Sequence, residues 1–82
     1  MNPAKDPGKY ERIAEIQRLV RRGLSHRAIA DRLGMSRQAV FEVLKRKHVR
    51  QYIYCSTVAE AIEVADLIRA RKVSQRAVVV LP

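Results

Sequence analysis

Two short segments, each opened by a serine, meet at one glycine in SHRAIADRLGMSRQAVFEVLKR, residues 25–46. This arrangement constrains the fold more than any other feature of the chain. Ser25 and Ser36 are good N-caps, because a serine hydroxyl accepts from the backbone N–H groups that a helix start leaves unpaired. Gly34 breaks the first periodic run and tolerates the left-handed backbone that a tight interhelical turn needs. Ala28, Ile29 and Leu33 form the expected inward side of the first helix. Val40, Val43 and Leu44 form that of the second, and Met35 flanks the turn. Ala30 is small where the second helix must cross closely.

A third helix precedes the pair. From Tyr10 to Arg22, Ile13, Ile16, Leu19 and Val20 recur at helical spacing, and Gly23 follows as a stop. Residues 1–9, with two prolines and a glycine, are expected to be a loose leader. The first half of the chain is therefore three helices joined by very short turns.

Charge follows the same division. Of 17 Lys and Arg, 13 lie in residues 1–50, together with 5 of the 8 acids, whereas residues 51–82 are close to neutral. Basicity concentrated in one part of a chain marks a polyanion-binding module rather than general solubilisation. Twelve of the 17 cations are arginine, whose fork suits phosphate and guanine. The outward residues of the quoted stretch also mix donors, an acceptor and a ring. Arg37 can fork to guanine, Gln38 can pair with adenine, Phe41 can cover a thymine methyl, and Glu42 can accept from cytosine. A carboxylate on an otherwise basic face is repelled by phosphate and suggests base discrimination. Pairing with Arg46 one turn on accounts for Glu42 equally well.

Residues 26–45 resemble the two-helix unit of the helix-turn-helix family, with Ala30, Gly34 and Val40 at its most restrictive positions. With the preceding helix, the stretch is most similar to the three-helix DNA-binding domains of site-specific resolvases, sigma-factor-like promoter readers and small bacterial or phage repressors. The resemblance covers about 40 residues. It implies that residues 36–47 are a recognition helix lying in the major groove. Arg37, Gln38, Phe41 and Glu42 are then the base-contact candidates. Ser25, His26, Arg27, Ser36, Lys45, Arg46 and Lys47 are the phosphate-contact candidates.

After Arg50 the pattern changes. QYIYCS alternates as a short strand, Thr57 with Glu60 forms a capping box, and Val58, Ala61, Ile62, Ala65 and Ile68 suggest a helix stripe. AVVVLP reads as a final strand. VSQRAVVVL also echoes MSRQAVFEVL, so residues 73–82 stand as either a strand or a degenerate helical repeat. The expected fold class is α+β: a leader (1–9), a helix-turn-helix domain (10–50) and a strand–helix–strand segment (51–82). The last would leave an apolar edge exposed unless a partner covers it. A homodimer through residues 51–82, on a palindromic double-stranded operator, is the expected solution; a different protein is the alternative partner.

Other function classes find little support. The lone Cys55 reads as a buried strand residue, and His26 and His48 are too isolated for a metal site. No catalytic triad, carboxylate pair or phosphate-cradling loop is present, so neither enzyme activity nor a cofactor is expected. The absence of a signal-like or membrane-spanning run predicts a cytoplasmic protein with no membrane partner. The expectation is a sequence-specific transcriptional regulator of the repressor kind. A recombination or architectural DNA-binding accessory is one rival. A protein-binding inhibitor of a nucleic-acid-handling complex is the other.

Overall fold

The computed structural model describes residues 7–82. Helix α1 (Pro7–Arg21) is the spine of the core: Tyr10, Ile13, Ala14, Ile16 and Leu19 on it are all buried. It begins three residues earlier than the sequence suggested, so Pro7 to Lys9 are helical and the expected leader is shortened; the rest of it, residues 1–6, lies outside the described residues. Gly23, at φ +88°, stops the helix, its N–H bonded to the Val20 carbonyl at 2.9 Å. Val20 itself is exposed rather than part of the stripe.

Helix α2 (His26–Leu33) and helix α3 (Arg37–Leu44) follow, each capped as their serines predict. Ser25 Oγ accepts from Ala28 N–H at 3.2 Å and Ser36 Oγ from Ala39 N–H at 3.0 Å. Gly34 takes the left-handed conformation, φ 67° and ψ 33°, and its N–H bonds to the Ala30 carbonyl. Ile29, Ala30, Val40 and Val43 bury the inner faces, whereas Ala28 points to solvent.

The expected recognition helix over 36–47 is too long. It ends at Leu44, Lys45 is its C-cap, and Arg46 is extended at φ −62°, ψ 139°. Lys47 belongs instead to a further helix, α4 (Lys47–Gln51), so the helical part has four helices rather than three. The reason is Val49. Nine residues after Val40, at about 100° per residue, a continued helix would carry it about 180° away from the buried face. Breaking the helix at Arg46 turns Val49 inward, where it is 6 % exposed.

Strands β1 (Tyr52–Tyr54) and β2 (Val78–Val80) pair in parallel, Tyr52 opposite Val78 and Tyr54 opposite Val80. Helix α5 (Val58–Arg69) connects them. The end of the chain is thus a strand and not a helical repeat. Residues 10–50 and 51–82 share one core, in which Tyr54 lies edge-on to Tyr10 at 5.0 Å between ring centres.

Side chains of α1 weld the halves together. Gln17 is buried, and its amide acts as a strand partner for the outer edge of β1. Its Nε2 donates to the carbonyls of Tyr52 (2.8 Å) and Val49 (3.0 Å), and its Oε1 accepts from Tyr54 N–H (2.8 Å). The Tyr10 hydroxyl proton is shared between the carbonyls of Cys55 and Val80. Arg18 grips Glu60 through Nε and Nη2, with Arg21 at 3.5 Å. These arginines, with the Ser56 N–H, hold the Glu60 carboxyl below the usual carboxylate range, chiefly through the Arg18 hydrogen bonds.

That grip also sets the rotation of α5. Glu60 faces α1, so Val64 one turn on is buried, while Ile62, about 200° round the helix, faces out. The expected stripe was therefore misplaced: Val58 and Ile62 are 65 % and 59 % exposed. Thr57 caps the helix as foreseen, but Glu60 reaches back to Ser56 N–H, one residue beyond the usual box. Cys55 is buried just past β1, its N–H bonded to the Val80 carbonyl, and burial pushes its thiol up.

Candidate nucleic-acid interface

With α3 packed by Val40, Val43 and Leu44, its other side is obliged to face outward. Arg37, Gln38, Phe41 and Lys45 fall within an arc of about 100°, and Glu42 about 40° beyond it. His26, the first residue of α2, joins Arg37, Gln38 and Phe41 in one shallow concavity. Phe41 is 51 % exposed, with the His26 ring 6.4 Å away and the Lys45 ammonium 5.6 Å above it. The ring therefore belongs to the outward face of α3 and not to the core.

Glu42 stands at the flank of this concavity. It pairs with Lys45 at 3.3 Å and not with Arg46, so any base contact it makes exchanges that partner. The pair is half exposed on both sides and contributes little to stability.

The phosphate-contact candidates fall into two groups. Ser25, His26 and Arg27 are exposed at the start of α2, and Ser36 at the start of α3. Each capping serine uses its oxygen as an acceptor and retains its hydroxyl proton for donation. Lys45, Arg46 and Lys47 lie at the other end of α3, all exposed. Lys45 and Lys47 open onto a second groove, which Arg50 also lines together with Ser74 and Arg76 from the turn before β2. Nearby His48 is pushed below the ordinary histidine value by burial and by the charges of Arg46 and Lys9, and its Nδ1 lies 2.8 Å from the Tyr54 hydroxyl.

Ser74 and Arg76 were not among the residues singled out from sequence. Their segment is nearly neutral in total, which hides a local cation. The one available signal was the strand pairing itself, which brings the residues entering β2 beside those entering β1.

Among the described residues no helix is long and apolar enough to cross a membrane. No curated protein and no solved structure matches the chain. A family model does, that of the homeodomain-like domain, over residues 7–52, which is α1 through the first residue of β1 and more than half the chain. The capped pair α2–α3, turned at a left-handed Gly34 and braced on α1, is thus a DNA-binding domain of the helix-turn-helix type, and the chain belongs to the homeodomain-like family.

Proposed function

We propose that the protein is a sequence-specific regulator of transcription, a repressor, which seats α3 in the major groove of double-stranded DNA. The observation that carries this reading is the concavity of His26, Arg37, Gln38 and Phe41, where side chains able to read base edges converge at the N-terminal end of a rigidly capped helix. Cations flank it on both sides, as an orienting grip on phosphates requires.

We further propose that it works as a homodimer on a palindromic operator. Support comes from the sheet. The outer edge of β1 is occupied by Gln17, whereas among the described residues β2 has only β1 beside it in the sheet. Val80 C=O faces β1, so the alternation of the strand turns the N–H and C=O of Val79 to the outer edge. Val78 is 51 % exposed and Leu81 40 % exposed next to it. An apolar unpaired edge of this kind is stabilised by a second strand.

Selection of sites from a random double-stranded pool at near-physiological salt tests both parts. An enriched inverted repeat, with half-sites about one helical turn apart, is the expected result. A lone half-site removes the dimer and keeps base reading; no enrichment removes base reading. Sedimentation at micromolar concentration is expected to give a dimer, and a monomer sinks the two-fold arrangement.

A further inference from the structure

The groove at the far end of α3 is lined by Lys45, Lys47 and Arg50 from one segment and by Ser74 and Arg76 from the other, with no carboxylate among the described residues of its lining. Lys45 pairs with Glu42 on half-exposed surface. Lys47, Arg50 and Arg76 make no ion pair among the described residues. The turn that carries Arg76 is held in shape: Ser74 Oγ accepts from Arg76 N–H, Ser74 C=O accepts from Ala77 N–H, and Gln75 ties back to the Ile68 carbonyl. Three unpaired cations are thus held beside one another by the α4–β1 junction and by the strand register that sets Tyr52 opposite Val78. Like charges so gathered repel in the free protein, and a polyanion relieves them.

We infer that this groove is a second DNA-backbone site, in which the turn before β2, through Arg76 and Ser74, grips a phosphate together with Lys47 and Arg50. The inference rests on the reading of α3 as the recognition helix. Its geometry follows from that helix. Eight residues separate Arg37 from Lys45, about 12 Å of helical rise, and the major groove is about 12 Å wide. When Arg37 reaches the base edges, the Lys45 end lies beside a phosphate strand, and the cationic groove opens there. The C-terminal half therefore contributes to DNA affinity directly, in addition to bracing α1. A backbone grip of this kind carries no base preference.

The test compares the full-length wild type with Arg76→Ala and Arg69→Ala. Both variants remove one positive charge, but Arg69 lies on α5, paired with Asp66. Each neutralised phosphate adds about 0.9 to the slope of log affinity against log salt. Arg76→Ala is therefore expected to lower the slope by about 0.9 and to weaken binding about eightfold at about 0.1 M salt, equally for a selected site and a duplex of mixed sequence. Arg69→Ala is expected to change neither quantity measurably. Thermal midpoints should match the wild type, since the Arg76 side chain makes no hydrogen bond or ion pair among the described residues; Lys47→Ala repeats the measurement from the other side of the groove. Equal effects of Arg76→Ala and Arg69→Ala overturn the site while leaving DNA binding intact. Saturable binding of inorganic phosphate in the groove, without competition against the duplex, also overturns it. A wild type that binds no duplex at low salt removes the recognition-helix reading itself, and this inference with it.

Discussion

The α2–α3 pair and the sheet half are held together by different means. In the pair, every stabilising polar contact is local: Ser25 to Ala28, Ser36 to Ala39, Gly34 to Ala30. In the sheet half the contacts are remote: Gln17 reaches Tyr54 across 37 residues, Arg18 reaches Glu60 across 42, and Tyr10 reaches Val80 across 70. The pair ends in an outward face on which Arg37 makes no ion pair among the described residues and Lys45 is paired only with Glu42, whereas the remote contacts turn inward and satisfy one another. Among the described residues, no buried side-chain nitrogen or oxygen lacks a partner. The contrast separates labour. The α2–α3 pair can vary its outer face without touching its caps, because those caps are local and the sheet half supplies the platform that α1 needs.

If that division is correct, the largest loss comes from the remote contacts. Gln17→Leu keeps roughly the same volume but strands the Tyr54 N–H and the carbonyls of Tyr52 and Val49. A buried group left unpaired costs about 1–3 kcal/mol, and three are stranded here, so a total of about 3 kcal/mol or more is expected. For a domain of this size that lowers Tm by about 10 °C or more. Differential scanning calorimetry measures it, and a loss under about 1 kcal/mol would mean that the edge of β1 does not depend on the amide.

Next comes Glu60. Its carboxyl titrates lower in the folded protein than in the unfolded chain, mainly because Arg18 hydrogen-bonds to its charged form. The unfolded chain therefore takes up the proton first as pH falls. The stabilisation is complete above the ordinary carboxyl value of about 4.3 and is lost as pH falls through the lowered native value. Glu60→Gln is expected to cost about 1–3 kcal/mol at neutral pH and to flatten the acid limb of the stability curve. Denaturant melts between neutral pH and about pH 3 decide it; an unchanged acid limb would show that Glu60 is not the linking group.

The same contrast explains what could be read in advance. The serine caps, the left-handed glycine and the small Ala30 act on residues within one or two turns, so a short window of sequence contains both partners. The end of α3 does not work that way: its stop at Leu44 is decided by where Val49 must go, and Val49 is placed by α1 and β1. The stripe of α5 was misread for a related reason. Apolar spacing alone favours Val58 and Ile62, but the rotation is fixed by a salt bridge to a helix 42 residues earlier. Gln17 offered a faint signal, a lone amide within an apolar stripe, and its partners lie on β1 and α4, which no local pattern links to it.

Local caps should cost less than either remote contact. Ser36→Ala removes the one side-chain partner of Ala39 N–H and is expected to cost about 1 kcal/mol. Ser36→Gly should cost only a few tenths, because glycine also serves at an N-cap. A loss from Ser36→Ala as large as that from Gln17→Leu would erase the distinction between the two halves. Urea melts with unchanged slopes are the appropriate measurement.

The smallest effect on stability is expected at Arg37, one of the residues proposed to read bases. Arg37 is exposed and makes no ion pair among the described residues. Arg37→Ala should therefore stay within about 0.5 kcal/mol of the wild type in folding. In DNA binding it should cost about 1–3 kcal/mol, and the cost should fall at one base pair of the selected site. Lys45→Ala provides the contrast: it weakens all sequences alike and lowers the salt slope. The two variants differ in kind because Arg37 sits in the concavity with Gln38 and Phe41, while Lys45 opens onto the cationic groove. Affinities of both variants for every single-base change across the site separate the cases. If Arg37→Ala lowers affinity evenly over all those changes, the concavity binds phosphate too, and the distinction between a reading face and a gripping face within α3 disappears.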